Sequence, residues 1–365
     1  MKRNTLFIAL AVITAASAQG QTLGYVLGSS YSKDVVSFST STGKLVNVFS
    51  DGFGTGTALA VGSDDSTLYI PAEAGGLNSG VLNIVSGQTG QLLNSVSLVG
   101  QGEKAVLSAD GSTVYVQTAT ATSGGIVAVD TATLASQKTL SFPFNSFVHD
   151  IAVSPDSSTL YVYVTCPNGC TPPRTGCTTT GGICIFDAKT LAFKQQIDKL
   201  QGSLALSQDG QFLYVWSPAG SQYLAVVNTA ALTYVWKAFP YRITGVAVNP
   251  VGNYAVVFVG PNAQASTTAY LFDPTANKTV AQLFGNGPDG TSVIPHYSTL
   301  IANTAAFSPD GTSLWMLLWC DPNATNCSVP GGTGRAVMGI SMISPVSVIS
   351  IMPLPRDAAS LGMPQ

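Results

Sequence analysis

Ionisable residues are rare in this chain, and several of them fall at the same position of a repeated sequence segment. It contains only two glutamates and two histidines, and Glu103 and His149 each stand five residues before the serine that opens an SPDG-type turn. Charged residues make up 9% of the chain, so seven random positions would hold fewer than one, whereas three ionisable residues occur in this set. The residues at the equivalent position in all copies of this segment are Thr57, Glu103, His149, Gly202, Thr244, Asn303 and Asp357.

These residue types indicate two kinds of chemistry. Glu103, Asn303 and Asp357 could supply the oxygen ligands that a divalent cation such as calcium prefers, although we expect no cofactor. We assign no catalytic residue, but His149 could act as an acid or base near neutral pH, together with Glu103. Adding the charged neighbours gives the predicted ligand-binding set: Glu103, Lys104, His149, Asp150, Arg242, Asn303, Arg356 and Asp357.

A simpler interpretation of the same residues is that they pair along the chain. Glu103 with Lys104, His149 with Asp150, and Arg356 with Asp357 would then be local charge pairs around a water-filled opening. We favour this interpretation over a ligand site.

The elements that carry these positions are short strands. Residues 104–140 contain four short apolar runs separated by turn signals, and none reaches the about 10–12 residues of a typical helix. Copies follow one another at intervals of about 42 to 59 residues, a period that predicts the blades of a β-propeller. The phrase recurs as SDDSTLYI, SADGSTVYV, SPDSSTLYV, SQDGQFLYV, NPVGNYAVV and SPDGTSLWM. The first strand of a blade lines the central channel, so the repeated set should surround the channel mouth.

The two chain ends complete the blade count. Residues 23–49 begin with the second strand of the repeat. Tyr25 there occupies the aromatic slot, the position of the aromatic residue in the second strand of most other copies. Residues 358–365 resemble a first strand. We therefore predict an all-β fold, a seven-bladed β-propeller of four-stranded antiparallel blades. Its N- and C-terminal strands would share one blade and close the ring, which removes exposed sheet edges.

Two copies of the repeat carry a family resemblance. SPDSSTLYV followed by GGICIFDAKTLAFKQQI, and SADGSTVYV followed by GGIVAVDTATLASQKTL, resemble the YVTN-type repeat of bacterial seven-bladed β-propellers. The resemblance extends over about residues 23–365 and involves turn and core positions. Similar propellers include lactonase-like proteins related to bacterial 6-phosphogluconolactonase and cell-surface or periplasmic proteins without known activity. Because a fold does not determine a function, the resemblance leaves both enzyme and binding module open.

The first residues predict export. Lys2 and Arg3, an apolar stretch and the sequence Ala16-Ser17-Ala18 have the pattern of a signal peptide at residues 1–18. This leaves a single propeller domain at residues 19–365, in the periplasm or outside the cell. Removing two of the 15 basic residues leaves 13 against 18 acidic ones, a net charge near −5. Without a basic run, we expect no nucleic-acid partner, no membrane insertion and a monomer.

Six cysteines fit an oxidising compartment. Cys320 and Cys327 share one loop and are predicted to form a disulfide. The other four allow three pairings, of which we favour Cys166–Cys184 with Cys170–Cys177 nested inside. A metal site is the weaker alternative, because the cysteines lack a CxxC pair and have no histidine nearby.

Two functions remain open at this point. The favoured one is an exported, non-enzymatic binding module for a protein, glycan or small ligand, acting through its faces and its cysteine-bearing loops. The alternative is a lactonase-like hydrolase with its site at the channel mouth. The hydrolase requires Glu103, His149, Asn303 and Asp357 to converge on one point.

Overall fold

A computed structural model gives the arrangement of the strands. It describes residues 9–12, 23–27, 34–50, 58–64, 66–76, 78–166, 181–217, 220–260, 268–284, 301–308, 310–319, 335–343 and 347–353. These residues form strands and turns, and none of them belongs to a helix long and apolar enough to cross a bilayer.

The strands form seven four-stranded antiparallel sheets, numbered here as blades 1–7 in chain order. Blades 1–3 are β1 (Ala9–Val12), β2 (Leu23–Leu27), β3 (Asp34–Ser39), β4 (Leu45–Ser50); β5 (Ala60–Val61), β6 (Thr67–Glu73), β7 (Ser79–Ser86), β8 (Leu92–Val99); and β9 (Gln101–Leu107), β10 (Thr113–Ala119), β11 (Gly124–Asp130), β12 (Ser136–Ser141).

Blades 4–7 continue the same pattern along the chain. They are β13 (Phe147–Val153), β14 (Thr159–Thr165), β15 (Gly182–Asp187), β16 (Phe193–Asp198); β17 (Ser203–Leu206), β18 (Phe212–Trp216), β19 (Tyr223–Asn228), β20 (Thr233–Ala238); β21 (Arg242–Val248), β22 (Ala255–Gly260), β23 (Thr268–Asp273), β24 (Lys278–Phe284); and β25 (Ile301–Phe307), β26 (Ser313–Trp319), β27 (Arg335–Ser341), β28 (Ser347–Pro353).

The first strand of each blade faces the centre of the ring. First strands of successive blades contact one another from β5 to β9, β13, β17, β21 and β25, and β25 contacts β1. Within each blade the strands follow in sequence order from the centre outward. The predicted seven-bladed propeller of four-stranded antiparallel sheets is therefore confirmed.

The core lies between the blades rather than inside any one of them. Seven clusters of buried side chains occur in the described residues, one at each interface between neighbouring blades. The predicted aromatic slot of the second strand supplies a large buried residue in most blades. Those residues are Tyr25, Tyr69, Tyr115, Tyr161, Tyr214 and Trp315, all at most 5% exposed.

The seam between blades 7 and 1 is packed like the other interfaces. Phe38 of blade 1 lies against Trp315 of blade 7 with ring centroids 5.0 Å apart. Gly43 has a φ of +64°, and a side chain there would collide with Ser350 across the seam. A residue with a side chain would therefore be both strained and overcrowded at this turn.

The closing strand differs from the sequence prediction. The strand paired with the inner edge of β2 is β1, with Ala11 opposite Tyr25. It comes from the apolar part of the predicted signal peptide, and not from residues 358–365, which lie outside the described residues. In the full chain, the prediction that the C-terminal strand fills this place is therefore wrong. A short apolar segment with free backbone groups can complete a sheet edge whichever chain end supplies it.

The SPDG-type turns have the predicted chemistry. The carboxylate of Asp110 accepts hydrogen bonds from the Ser108 hydroxyl at 2.6 Å and from the Ser112 backbone N–H at 3.0 Å. Asp156, Asp209 and Asp310 repeat this arrangement. These carboxylates hold the turns between first and second strands.

Removal of residues 1–18 would take β1 away and leave β2 paired only with β3. We expect residues 358–365 to occupy that edge in the shortened chain, because their sequence resembles a first strand. Deleting residues 358–365 should then lower the thermal midpoint of the 19–365 form by a few degrees, but should leave that of the full chain unchanged. Equal effects of the deletion in both forms, measured by circular dichroism, would contradict this exchange.

Candidate functional site

The repeated position identified in the sequence coincides with a β-bulge in the inner strand. In blade 3, Lys104 lies opposite Gln117 and Gly102 lies opposite Thr118, so Glu103 is the extra, unpaired residue. His149 and Thr244 are the extra residues of β13 and β21 in the same way. A bulge turns the side chain of its extra residue out of the regular alternation, and bulges are common beside functional sites.

The bulges share one side of the ring. Phe147, at the beginning of β13, lies opposite Thr165, at the end of β14. The beginning of each inner strand and the connection from second to third strand therefore emerge together. We call this side the loop face. It carries the connections of residues 166–181 and 320–334, where the predicted disulfide loops fall.

Glu103 is held against a buried amide. Gln117 is 3% exposed, and its Nε2 donates to Glu103 Oε2 at 2.5 Å and to the Val148 carbonyl at 3.0 Å. The shared amide places the Glu103 carboxyl next to the backbone that leads into His149. Burial raises the pKa of Glu103, and the hydrogen bond from Gln117 opposes this change.

Gln117 leaves one polar atom unsatisfied. Its Oε1 is buried and has no hydrogen-bond partner among the described residues. A buried carbonyl-type oxygen without a donor costs about 1–3 kcal/mol. A donor from a bound molecule would remove this cost.

His149 is partly open to solvent and lies beside Tyr163. Its Nε2 is 2.6 Å from the hydroxyl of Thr165, and its ring centroid is 5.1 Å from that of Tyr163. The surrounding channel wall desolvates the imidazole, which lowers its pKa, while the charge of Asp150 opposes this change. The imidazole is therefore mostly neutral at pH 7 and available as a hydrogen-bonding group.

Lys104 and Asp150 form an ion pair that joins two blades. Lys104 Nζ lies 2.5 Å from Asp150 Oδ1, and the other carboxylate oxygen accepts the Leu204 backbone N–H at 2.9 Å. One carboxylate thus connects blades 3, 4 and 5. The interpretation of these residues as local pairs did not include this link, in which Lys104 of blade 3 pairs with Asp150 of blade 4.

The other predicted site residues are less fully placed. Arg242 begins β21, and its buried Nε has no hydrogen-bond partner within the described ranges. Asn303 lies in β25, where the register shifts between Ala302 and Ala305. Thr57, Arg356 and Asp357 lie outside the described residues. Among the residues that are described, no three His, Cys, Asp or Glu side chains form a metal-binding group.

The favoured Cys166–Cys184 disulfide does not fit the register of its hairpin. Val162 lies opposite Cys184, so Cys166 is four residues further along, about 13 Å away at 3.3 Å per residue. A disulfide needs Cα atoms no more than about 7 Å apart. This pairing is therefore corrected, whereas Cys170, Cys177, Cys320 and Cys327 lie outside the described residues and their pairings stay predictions.

Sequence reasoning missed Gln117, although the repeat contained a signal for it. Gln117 stands two residues after the aromatic slot of its blade, and this position contacts the bulge residue. Tyr163 occupies the same position in blade 4 and contacts His149. The equivalents in other blades are apolar or aromatic: Leu27, Pro71, Trp216, Phe258 and Leu317. A single amide among these residues is the anomaly that could have identified it.

Comparisons with known proteins show the fold and no more. The chain matches no family model and no curated protein, so the YVTN-type resemblance stays a prediction. Among solved structures, Kuenenia stuttgartiensis hydrazine synthase has a TM-score of 0.61 at 15% identity, covering 82% of this chain and 90% of that chain. The Dos1 propeller has a TM-score of 0.55 at 14% identity, with coverages of 86% and 74%.

A third similar structure is the β-propeller domain of Myceliophteria thermophila Cps50 (Swd1). Its TM-score is 0.55 at 14% identity, and the match covers 80% of this chain and 89% of that chain. At these identities a shared fold carries no activity with it. The chain is a β-propeller, a fold that commonly serves as an interaction module.

The link between Lys104 and Asp150 should contribute measurably to stability. Lys104→Met leaves the buried carboxylate with backbone N–H donors only, and we expect a loss of about 2 kcal/mol in the free energy of unfolding. The matched control is Lys194→Met, because Lys194 forms a more exposed pair with Asp187 at 3.2 Å. That change should cost under about 1 kcal/mol in urea unfolding. Equal losses in the two variants would show that the inter-blade pair contributes no more than a surface pair.

The raised pKa of Glu103 predicts a pH-dependent effect on stability. The folded chain binds this proton more tightly than the unfolded chain, so the contribution favours folding at low pH and is lost as pH rises through the raised pKa. Glu103→Gln cannot ionise and should be more stable than the wild type at pH 7.5, with a smaller difference at pH 4. Urea unfolding at both pH values measures this, and an equal difference at both would contradict a buried carboxylate.

Proposed function

We propose that this chain is an exported, non-enzymatic binding module that holds a small, donor-bearing ligand at the channel mouth on its loop face. The observation that carries the proposal is the pairing of Glu103 with Gln117. A half-buried carboxyl with a raised pKa and a buried amide oxygen without a donor are both costly to the fold. Other blades fill the position of Gln117 with apolar or aromatic side chains, so the propeller does not require this polar pair.

The chemistry of the pair indicates which ligand it would take. The Glu103 carboxylate and Gln117 Oε1 are both hydrogen-bond acceptors, and a neutral His149 imidazole offers one acceptor and one donor. A ligand rich in hydroxyl or amino groups supplies the donor that Gln117 Oε1 lacks among the described residues. A small polyol, amino sugar or polyamine fits this requirement, whereas a simple anion does not.

Export is part of the same proposal. It is supported by the signal-peptide pattern of residues 1–18, the six cysteines and a surface that is polar by hydroxyl and amide groups rather than by charge. The long connections after β14 and β26 are proposed as further places for a macromolecular partner to bind, because both strands end on the loop face. Connections held by a rigid scaffold are where binding residues concentrate.

The alternative is a lactonase-like hydrolase at the same mouth. It is favoured by the proximity of Glu103 to the strand that bears His149, through the amide shared with Val148. Lys104 and Asp150 serve the link between blades and are therefore not available to a reaction at the mouth. We therefore rank hydrolysis below binding.

The test of the binding function uses the two glutamates of the chain. Calorimetric titration of the 19–365 form with amino sugars, polyols and polyamines should show saturable binding of at least one of them. Glu103→Gln should weaken that binding by at least about tenfold, the equivalent of one lost charge-assisted hydrogen bond. The matched control is Glu73→Gln, because Glu73 is the other glutamate and ends β6 on the loop face.

Two results would overturn the binding function. One is the absence of saturable binding for every compound at millimolar concentration. The other is hydrolysis of gluconolactone by the wild type that is lost in both Glu103→Gln and His149→Ala, which would establish the hydrolase instead.

A further inference from the structure

A second cleft lies on the outer part of blade 5, away from the channel. Ser221, Tyr223 and Trp236 line it, and its volume is about 310 Å³, at the lower end of the range of about 300–1,000 Å³ for small-molecule sites. The cleft opens on the loop face, since the Ser221 carbonyl accepts the backbone N–H of Ile243 at the beginning of an inner strand.

The aromatic rings of this cleft are exposed and firmly oriented. Trp236 is 52% exposed and Tyr223 is 47% exposed. Their ring centroids are 6.3 Å apart with an interplanar angle of 78°, and Tyr234 supports Trp236 from its other side at 5.6 Å and 83°. The Ser221 hydroxyl accepts the Tyr223 backbone N–H at 3.0 Å and so fixes the turn before β19.

The propeller does not need these rings, as its own repeat shows. Tyr223 lies opposite Ala238 at the beginning of a third strand, where blades 3 and 4 have Gly125 and Gly182. The position of Trp236 on the fourth strand is occupied in blades 2, 3 and 4 by Ser95, Thr139 and Gln196. Blade 5 has aromatic side chains at both positions, whereas blades 3 and 4 have glycine at the first and blades 2, 3 and 4 have polar residues at the second.

The lining of the cleft determines the class of ligand. Tyr and Trp provide broad, rigid contact area at little cost in conformational entropy, together with one polar group each. The three lining residues carry no charge, which disfavours phosphate, nucleic acid and polyamines. The C–H faces of a sugar ring pack on aromatic faces, and its hydroxyls can bond to the Ser221 and Tyr223 hydroxyls and the indole N–H of Trp236.

A protein partner suits the cleft less well. Stable protein interfaces bury about 800 Å² per partner around a packed centre. The aromatic cluster is narrow, and it stands on a surface whose neighbouring blades carry hydroxyl and amide side chains at the same positions. A slender, neutral, hydroxyl-rich chain matches both features.

We propose that the cleft formed by Ser221, Tyr223 and Trp236 binds a neutral saccharide by stacking sugar rings on its aromatic side chains. The site goes beyond the channel-mouth function and does not depend on it, because the two share no residue. It would give the exported propeller a second ligand on the same face.

The test replaces the rings with the residues that the repeat uses elsewhere. Trp236→Thr and Tyr223→Gly copy blade 3 and should fold normally, as circular dichroism can verify. Titration of the full chain with neutral hexasaccharides of glucose and of N-acetylglucosamine, followed by tryptophan fluorescence and calorimetry, should show saturable binding of at least one. Each variant should weaken this binding by at least about tenfold.

Two control variants distinguish the cleft from the channel mouth and from exposed aromatic surface in general. Tyr254→Ser removes a comparably exposed aromatic residue, 43% exposed, from the opposite side of the ring and should leave binding unchanged. Glu103→Gln should also leave it unchanged, so the failure of one site is distinguishable from that of the other. Wild-type affinity in Trp236→Thr, no saturable binding of either hexasaccharide, or binding of a hydrophobic peptide through Trp236 instead would overturn the proposal.

Discussion

The structure depends on one constraint: each sheet must cover both of its faces with the faces of its neighbours. Second and third strands are apolar on both sides, as the buried runs of β11 and β22 show, so a single blade could not exist alone in water. Seven clusters, one at each interface, satisfy this need around a closed circle. Because every blade packs against its neighbours in the same way, equivalent residues of the inner strands lie at equivalent positions beside the channel.

This equivalence explains why so much could be predicted from sequence. The period of the repeat, the aromatic slot and the turn carboxylates are local features that each blade repeats, and they determine blade number and packing. Counting five residues back from the turn serine located Glu103 and His149, and the structure shows that this count reaches the bulge. The count reaches the bulge because the distance from turn to bulge is measured along one strand.

Features that depend on two blades could not be obtained in this way. The pairing of Lys104 with Asp150 joins β9 to β13, and the period of the repeat does not encode a contact between two blades. The register that separates Cys166 from Cys184 depends on where their hairpin turns, and loop length alone does not reveal it. Two short apolar segments, β1 and residues 358–365, resemble a partner for the edge of β2. Which of them pairs there likewise depends on a contact between segments that are remote in sequence. In each case the deciding quantity is a distance between segments that are remote in sequence or joined by a long loop.

The three-way contact of Asp150 has a mechanical consequence. Its carboxylate receives Lys104 from the preceding blade and the Leu204 N–H from the following one, at 2.5 and 2.9 Å. Relative movement of any of these three sheets would break a charged hydrogen bond in addition to separating apolar faces. Blades 3–5 are therefore held against one another more firmly than their apolar interfaces alone would hold them.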